Sequence, residues 1–305
     1  MKKIGFIGLG RMGRPMALNL IKHGFELTVF DIDQNAVNIL VDEGAESVRS
    51  VAEIVKHSEI VITMLPNPQT VLDVLIGSNG VLSQASEGFS VMDMSTVDPK
   101  TTDKIANFCL KKKISFIDAP VGRLASHADK GESLFMVGAS KSDFDRVKPL
   151  LNSMGTTVYH CGPCGSGTRT KIVNNFLAVA SCQMNAEALT LMKQLDLDLD
   201  TTLDVLYGTT GFNGQLKLNW SSKVLKNDIE PGFKIDLGHK DLSLVLETAN
   251  DFNVPMPMAA AAREAFSSAR ARGFGEKDFS AMLDAQCDLV NTKPPRLSHN
   301  SRHIT

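Results

Sequence analysis

Three glycines near the start of the chain, Gly8, Gly10 and Gly13, restrict the fold more than any other feature of the sequence. They form a G-x-G-x-x-G pattern that directly follows a predicted strand, Ile4–Ile7, and opens a predicted helix. This pattern provides a tight turn, a close approach of the backbone to a diphosphate and close helix–strand packing, which a glycine-rich turn without function does not need. The exposed amides at the helix start favour phosphate. We therefore predict a βαβ unit that binds a dinucleotide through Gly8, Gly10, Arg11, Met12 and Gly13.

The first half of the chain alternates between short apolar runs and amphipathic segments. The runs are apolar on both faces, which is typical of a parallel sheet covered on both sides. Helices fit between most of the runs, as in a doubly wound, Rossmann-type α/β domain. The predicted strands are Ile4–Ile7, Leu27–Phe30, Ile60–Met64, Ser90–Met94, Ser115–Asp118, Leu134–Val137 and Thr157–Tyr159.

The second half of the chain, after Gly165, has a helical pattern throughout. A segment from about Thr168 to Gln194 contains neither proline nor glycine and predicts one helix far longer than average. Its apolar residues wrap almost all round, so we expect it to be buried as the spine of a second domain or against a partner subunit. Further helices are predicted at Thr201–Tyr207, Gln215–Val224, Lys240–Phe252, Ala259–Ala271 and Asp278–Cys287.

These patterns predict an α/β chain with an N-terminal nucleotide-binding domain and an all-α C-terminal domain, joined by the long helix. We place the first domain at residues 1–163 and the helical substrate and dimerisation domain at residues 164–290. The segment 291–305 is mostly polar, contains two prolines and has no core pattern, so we expect a disordered tail.

Composition excludes several classes of function. Of 305 residues, 43% are hydrophobic and 22% are charged, as in ordinary globular proteins. A net charge of −2 with both signs scattered gives no surface for nucleic acid or an anionic membrane. No segment approaches the ~20 apolar residues of a membrane span. The five cysteines have no framework spacing, so we expect a cytoplasmic enzyme without nucleic-acid or membrane partners.

An acidic residue, Asp31, ends the second predicted strand, where a carboxylate meets the adenosine ribose in such domains. Its charge repels a 2′-phosphate and the next residues include no arginine, so we predict NAD(H) rather than NADP(H). A helix-capping role for Asp31 is the alternative. Further cofactor contacts are expected at Leu65, Asn67 and Thr96, because they follow two other strands at the carboxyl edge, where these sheets bind ligands.

Gly122 and Arg123 follow another strand at the same edge of the predicted sheet. A guanidinium fork suits planar or trigonal oxyanions, so Arg123 beside the expected nicotinamide predicts a site for an anionic substrate. An ordinary surface arginine is the alternative.

One face of the long predicted helix carries Lys171, Asn174 and Asn175, at positions i, i+3 and i+4. The other faces are largely apolar, and a lysine beside an apolar wall can act as the general acid or base that carbonyl reduction requires. A solvated lysine with two surface asparagines is the alternative.

Four motifs together resemble the 3-hydroxyisobutyrate dehydrogenase family of β-hydroxyacid dehydrogenases, and they span nearly the whole chain. They are Gly8–Gly13, Asp118–Arg123, Gly165–Gly167 with Lys171 and Asn174-Asn175, and Gly238–Leu242. The resemblance implies a nucleotide-binding sheet before a helical domain that pairs subunits, as a homodimer or homotetramer. It also implies that Lys171 is the catalytic acid/base, that Asn175 orients the reacting oxygen and that Lys240 lies against the cofactor.

The chain departs from this family at the substrate motif. Most members have Ser-Gly-Gly after the Asp-Ala-Pro-Val stretch, where amides bind a carboxylate, whereas this chain has Gly122-Arg123. A fixed positive fork favours a more charge-dispersed oxyanion such as a sulfonate, although a carboxylate also binds arginine. The resemblance extends the substrate contacts to Asn174, Asn175 and Ala178, of which Ala178 has no side-chain donor.

Two sequence features are open to other interpretations. Cys161 and Cys164 form a C-x-x-C pair, but it follows the sheet rather than opening a βαβ unit, so we expect neither a redox dithiol nor a metal site. A catalytically silent NAD-binding protein on the same scaffold is opposed by the presence of Lys171 with Asn175. We therefore expect an NAD-dependent oxidoreductase, with a 3-hydroxyisobutyrate or 4-hydroxybutyrate type of carboxylate substrate as the alternative to a sulfonate.

Overall fold

Nine strands form one sheet in the first half of the chain. Central strands such as Ile60–Thr63 and Ser90–Asp93 are buried along their whole length, because helices cover both faces of the sheet. The strands are β1 Lys3–Ile7, β2 Glu26–Phe30, β3 Glu46–Ser47, β4 Ile60–Thr63, β5 Ser90–Asp93, β6 Ser115–Asp118, β7 Val121–Gly122, β8 Ser133–Gly138 and β9 Gly155–Gly162.

The first six strands are parallel and lie in the order β3-β2-β1-β4-β5-β6. This is the order of a doubly wound nucleotide-binding sheet, which confirms the predicted fold class. Strand β8 does not follow the expected parallel arrangement. It runs antiparallel to β6 and β7 and parallel to β9. Only a short segment with one small helix joins β7 to β8, and such a connection is too short for a parallel crossover.

Two apolar cores lie on opposite faces of this sheet. Adjacent side chains of β1 divide between them, since Phe6 belongs to one core and Ile7 to the other, as the alternation of a strand requires. The covering helices are α1 Gly13–Lys22, α2 Gln34–Asp42, α3 Val51–Ile54, α4 Pro68–Ile76, α5 Val81–Gln84, α6 Pro99–Lys111, α7 Ala125–Asp129 and α8 Lys141–Met154.

The second half of the chain is helical, as predicted. Its helices are α9 Ser166–Gln194, α10 Leu199–Gly208, α11 Ile235–Asp251, α12 Pro257–Ala271 and α13 Met282–Leu289. The regular helix predicted at Gln215–Val224 is wrong. Short π and 3₁₀ turns replace it there, and the hydroxyls of Ser221 and Ser222 donate to nearby carbonyls in competition with the backbone amides. Within this segment Trp220, the single tryptophan of the chain, is completely buried.

Only part of the apolar surface of α9 is buried within this chain, so its expected burial against a partner subunit stays a prediction. Residues such as Ile172, Val179 and Cys182 are buried, but the side chains of another stripe are more than half exposed. We call this stripe the α9 apolar stripe; its residues are Val173, Leu177, Met184 and Leu191.

Contacts within the chain divide it into two compact units, Met1–Lys171 and Ile172–Thr305. The computed structural model describes residues 1–303. Over 291–303, part of the segment expected to be a disordered tail, the amide of Leu297 donates to Leu225 and Ser301 donates to Asp200. Ile304 and Thr305, the end of that segment, lie outside the described residues. Among the described residues, none of the helices combines the length and apolar character needed to span a membrane.

Candidate functional site

Each glycine of the loop between β1 and α1 has a distinct steric setting. Gly8 has a positive φ of 95°, and a Cβ there would lie 2.3 Å from the Met64 carbonyl oxygen. A Cβ on Gly13 would lie 1.9 Å from the Gly8 carbonyl oxygen, so the helix start packs directly on the turn. By contrast, a Cβ on Gly10 would meet no atom within 4 Å. The surface at Gly10 is therefore open to a ligand, while its neighbours shape the turn.

The N-terminus of α1 is suited to an anion. Its N-cap residue, Met12, makes no side-chain capping bond, whereas Asp33 caps α2 and Asn67 caps α4. The Arg14 amide donates to the Gly10 carbonyl oxygen at 3.1 Å and Pro15 has no amide hydrogen, so this end of α1 offers the phosphates of a dinucleotide the Gly13 amide and the helix dipole. Arg11, at the loop, is more than half exposed and lies 3.7 Å from Asp129.

Asp31 lies against the glycine loop. Its Oδ2 accepts a hydrogen bond from the Leu9 amide at 2.5 Å, and its Oδ1 accepts one from the Asp33 amide at 2.8 Å. The capping residue of α2 is Asp33, so the alternative role considered for Asp31 does not apply. A carboxylate with remaining acceptor capacity at the end of β2 fits the ribose hydroxyls of an adenosine.

The loops that follow β4 and β5 are tied together by a buried polar network. The Ser95 hydroxyl donates to Asp93 at 2.6 Å, and the same hydroxyl accepts the Leu65 amide at 2.9 Å. Burial raises the pKa of Asp93, while its hydrogen bonds with Ser95 and Thr63 lower it. Thr96 lies half-buried in the second of these loops.

Asn67 has a structural role in addition to any contact with a cofactor. Its Oδ1 accepts from the amide of Thr70 at 2.9 Å and from the hydroxyl of Thr70 at 3.0 Å. These bonds cap the first turn of α4.

Lys171 stands on the second turn of α9 and is half-buried. Its Nζ donates to the carbonyl oxygen of Val121, in β7, at 2.6 Å. The ammonium group is therefore held at the backbone of β7, directly before Gly122 and Arg123 in the chain, and all three predicted site residues lie in the first unit.

Arg123 has a positive φ of 72°, in the left-handed region that favours glycine. This conformation costs an L-residue about 1–2 kcal/mol, and it agrees with the glycine that most family members have at this position. The guanidinium donates to the Glu132 carbonyl at 2.5 Å, to the Thr156 hydroxyl at 3.0 Å and to the Thr157 hydroxyl at 3.1 Å. The acceptors are all neutral, so none of them neutralises the positive charge.

In the second unit, a buried carboxylate joins two predicted site residues. Asp241 Oδ2 accepts from Asn175 Nδ2 at 2.6 Å, and Asp241 Oδ1 lies 3.1 Å from Lys240 Nζ. Asn174 Nδ2 donates to Asn175 Oδ1 at 3.1 Å, which fixes the orientation of the Asn175 amide. Ala178 is half-buried one turn further along α9.

Of the C-x-x-C pair, Cys164 lacks the lowered pKa of an activated thiol. Cys161 Sγ lies 3.7 Å from the Tyr159 carbonyl oxygen. Although Cys164 is exposed as a residue, burial of its thiol and the nearby Asp118 carboxylate raise its pKa to about 12. A reactive thiol needs a lowered pKa. No group of three or more His, Cys, Asp or Glu residues suited to a metal occurs within residues 1–303.

Three acidic residues of these networks were not predicted to have site roles: Asp93, Asp118 and Asp241. Asp93 lies within the predicted strand Ser90–Met94, and Asp118 and Asp241 lie within motifs that carry the family resemblance. The available signal was the same for the first two, a carboxylate that directly ends a buried apolar strand. A charge at such a position requires partners that compensate for its burial.

Two family comparisons cover most of the chain. Residues 3–162 match the NAD binding domain of 6-phosphogluconate dehydrogenase, and residues 165–286 match the NAD-binding domain of NADP-dependent 3-hydroxyisobutyrate dehydrogenase.

Curated relatives align over nearly the full length. A protein of Escherichia coli (strain K12) named 3-sulfolactaldehyde reductase is 43% identical over 93% of this chain and 95% of its own length. The 2-(hydroxymethyl)glutarate dehydrogenase of Eubacterium barkeri is 38% identical over 92% of this chain and 93% of its own length. The mitochondrial 3-hydroxyisobutyrate dehydrogenase of Homo sapiens is 33% identical over 92% and 85%.

Solved structures share the whole architecture. The 3-hydroxyisobutyrate dehydrogenase of Mycobacterium tuberculosis, determined with L-serine, superposes with a TM-score of 0.87 at 29% identity, covering 93% of this chain and 99% of that one. A 3-hydroxyisobutyrate dehydrogenase of Salmonella typhimurium superposes with a TM-score of 0.80 at 30% identity, over 93% and 99%.

Proposed function

The chain belongs to the 3-hydroxyisobutyrate dehydrogenase family, whose members are oxidoreductases acting on CH–OH groups with a nicotinamide cofactor, and we propose that it interconverts 3-sulfolactaldehyde and 2,3-dihydroxypropane-1-sulfonate. This choice of substrate rests on the backbone conformation and the hydrogen-bond partners of Arg123. The 43% identity to a 3-sulfolactaldehyde reductase supports the same choice.

Arg123 differs from most other arginines of the chain in its partners. Within residues 1–303 it forms no ion pair, and its acceptors are one carbonyl and two hydroxyls. A left-handed arginine is strained, and such strain is often retained at functional sites. A sulfonate would supply the missing negative charge. The arginines that do pair with carboxylates are Arg11, Arg146, Arg169, Arg263, Arg270, Arg272, Arg296 and Arg302.

We assign proton transfer to Lys171. When bound, NADH supplies the hydride that reduces the aldehyde carbon. Lys171 donates a proton to the carbonyl oxygen, which becomes the hydroxyl, and takes the proton back in the oxidative direction. Its bond to the Val121 carbonyl at 2.6 Å limits the positions that the ammonium can adopt.

Asn175 is the residue that we assign to orienting the reacting oxygen. Asp241 takes one hydrogen of its amide and Asn174 occupies its oxygen, so a second amide hydrogen is left for a substrate oxygen. We place Gly122, Asn174 and Ala178 among the substrate contacts on the family resemblance, with Ala178 as a contact of the backbone or methyl only.

The cofactor residues fit NAD(H). The open space at Gly10, the uncapped start of α1 and the carboxylate of Asp31 match a diphosphate and an unphosphorylated ribose. Arg11, Met12, Leu65, Asn67, Thr96 and Lys240 complete the proposed set of cofactor contacts.

We also propose that the subunits pair through the α9 apolar stripe, as a homodimer or as a homotetramer built from such dimers. Four large apolar side chains on one helix face, each more than half exposed, resemble the centre of an interface between copies of a chain.

The decisive experiment measures NADH oxidation with 3-sulfolactaldehyde, methylmalonate semialdehyde and succinate semialdehyde in parallel. The wild type should have its highest kcat/KM with the sulfonate. Arg123→Gly should lose about 10- to 100-fold in kcat/KM for the sulfonate, because one charge-assisted interaction of about 1.5–3 kcal/mol is removed. Its melting temperature should not fall, since glycine adopts the left-handed conformation without strain.

Arg123→Lys is the matched variant, because it keeps the charge but loses the fork. A wild-type preference for either carboxylate would refute the sulfonate and favour the carboxylate dehydrogenase, the alternative substrate class, while leaving the assignments of fold and Lys171 in place.

A further inference from the structure

A buried carboxylate, Asp118, lies at the start of the helix that carries Lys171, the residue to which we assign catalysis. It ends β6 and is 1% exposed. Its Oδ1 accepts from the Gly165 amide at 2.5 Å, and its Oδ2 accepts from the Thr168 amide at 2.7 Å. Gly165 directly precedes α9 and Thr168 lies in its first turn, so one side chain caps the start of this 29-residue helix.

The surroundings of this carboxylate leave it no freedom to move. A Cβ added to Gly138 would lie 2.3 Å from Asp118 Oδ1, and one added to Gly167 would lie 2.9 Å from Oδ2. Backbone therefore closes around the carboxylate where side chains would not fit. Burial raises the pKa of Asp118, whereas the amides of Gly165 and Thr168 lower it because they donate to the charged form.

The same segment also holds Lys171. Val121, three residues after Asp118, accepts the Lys171 ammonium through its carbonyl at 2.6 Å. Lys171 in turn lies three residues after Thr168, on the next turn of the helix. The segment 118–121 thus contacts α9 at two successive turns, through a side chain at the first and through a carbonyl at the second.

We propose that Asp118 is a positioning residue, which fixes the place of the Lys171 ammonium by anchoring the start of α9. The proposal rests on the catalytic role assigned to Lys171. Loss of the carboxylate leaves the amides of Gly165 and Thr168 without their buried acceptor, and the first turn of α9 loosens. Lys171 then keeps its charge and still lies three residues after Thr168, but its ammonium is no longer held in one place.

The test compares Asp118→Asn with Asp98→Asn. Asparagine preserves the size of the side chain and one acceptor, but it turns an amino group toward one of the helix amides. Asp98 is the matched control, because it caps α6 by the same chemistry, with its Oδ1 2.9 Å from the Thr101 amide, and α6 carries no proposed catalytic residue. Asp118→Ser, which keeps one capping oxygen, replaces the first variant if that variant does not fold.

Three quantities are measured for each variant: hydrogen exchange of the amides from 165 to 171, the dissociation constant for NADH, and the pH profile of kcat. For Asp118→Asn we expect exchange at least tenfold faster in that segment, a kcat at least tenfold lower and a displaced basic limb of the pH profile. The NADH dissociation constant should stay within twofold. Asp98→Asn should leave kcat and the pH profile unchanged within twofold.

A folded Asp118→Asn protein with wild-type kcat and pH profile would overturn the inference, as would an equal loss in Asp98→Asn, because equal losses indicate a general effect on stability. Lys171→Ala is measured in parallel to separate the two proposals. If it retains turnover, the role of Lys171 and the inference both fail. If it is inactive while Asp118→Asn behaves as the wild type, the inference alone fails.

Discussion

At the scale of single residues, two glycines of the β1–α1 loop lie in opposite steric surroundings, one crowded and one open. Gly13 is required because there is no room for a side chain, since an added Cβ would lie 1.9 Å from a carbonyl oxygen. Gly10 has free space on the side where a Cβ would stand, with no atom within 4 Å. The fold therefore requires Gly13, whereas Gly10 is required only by a bound dinucleotide.

This difference predicts contrasting effects of the same substitution. Gly10→Ala should leave the melting temperature of the ligand-free protein unchanged within about 1 °C and weaken NADH binding at least tenfold, because the methyl group occupies the space of the diphosphate. Gly13→Ala should cost about 3 kcal/mol in unfolding free energy, as expected for overpacking against backbone. Thermal unfolding and fluorescence titration with NADH check both variants. Equal NADH affinity in Gly10→Ala and the wild type would contradict the proposed diphosphate site.

Asp31 gives the second prediction at this scale. Asp31→Asn keeps an acceptor for the Leu9 amide but removes the negative charge, so the ratio of kcat/KM for NADPH to that for NADH should rise about tenfold or more. Asp33→Asn is the control, because Asp33 is an exposed neighbour that caps α2. An unchanged ratio in Asp31→Asn, measured with both cofactors in one assay, would argue against Asp31 as the source of the NAD preference.

Residue-level sequence reasoning identified side chains that carry a local pattern and missed those defined by a distant partner. The glycine loop and Asp31 have fixed spacing from a strand and were placed where the structure has them. The partners of Asp118 are 47 and 50 residues away in the sequence, so no short spacing predicts that Asp118 caps α9. The same holds for Asp241, whose link to Asn175 spans 66 residues.

At the scale of elements, α9 connects several features of the molecule. It starts at the Asp118 cap, carries Lys171 and Asn175 on successive turns, and then presents the α9 apolar stripe. The absence of proline and glycine over a long segment was enough to predict the helix from sequence. Which molecule covers the exposed part of its apolar surface could not be predicted, because apolar composition gives the number of buried faces but not what covers them.

The stripe gives a prediction at this scale. Met184→Glu with Leu191→Glu should shift the protein to monomers, because two charges would be buried in an apolar interface. Light scattering coupled to gel filtration measures the mass. Leu110→Glu is the control, since Leu110 is an even more exposed leucine on α6. An unchanged mass in the double variant would rule out the stripe as the interface.

The strands were predicted from the sequence in part. Seven of the nine strands follow apolar runs, and their observed bounds differ from the predicted ones by a few residues at most. β3 and β7 were missed because a strand of two residues has no period to detect. The direction of β8 also escaped prediction, since it depends on the length of the connection rather than on the strand itself.

At the scale of the whole molecule, the chain combines two compact units with separate cores. The order of the first six strands follows from the βαβ pattern, and the second unit is helical as predicted. The proposed contacts for the diphosphate and ribose lie in Met1–Lys171. NADH should therefore stabilise that unit directly.

A concentration of NADH one hundred times its dissociation constant should add about 2.7 kcal/mol to the stability of the unit that binds it. Differential scanning calorimetry with and without NADH measures the resulting rise in melting temperature. Gly10→Ala serves as the control, because it should show a much smaller rise at the same concentration. The absence of any rise in the wild type would contradict binding to the folded chain.

The position of Trp220 has an optical consequence. It is the single tryptophan of the chain, and it is completely buried in the helical unit. Indole emission shifts to longer wavelength on contact with water, so the tryptophan emission of this protein reports on the packing of that unit and not on the sheet. Heating curves recorded by emission and by calorimetry will coincide only if the two units unfold together, and their separation measures the coupling between the units without any label.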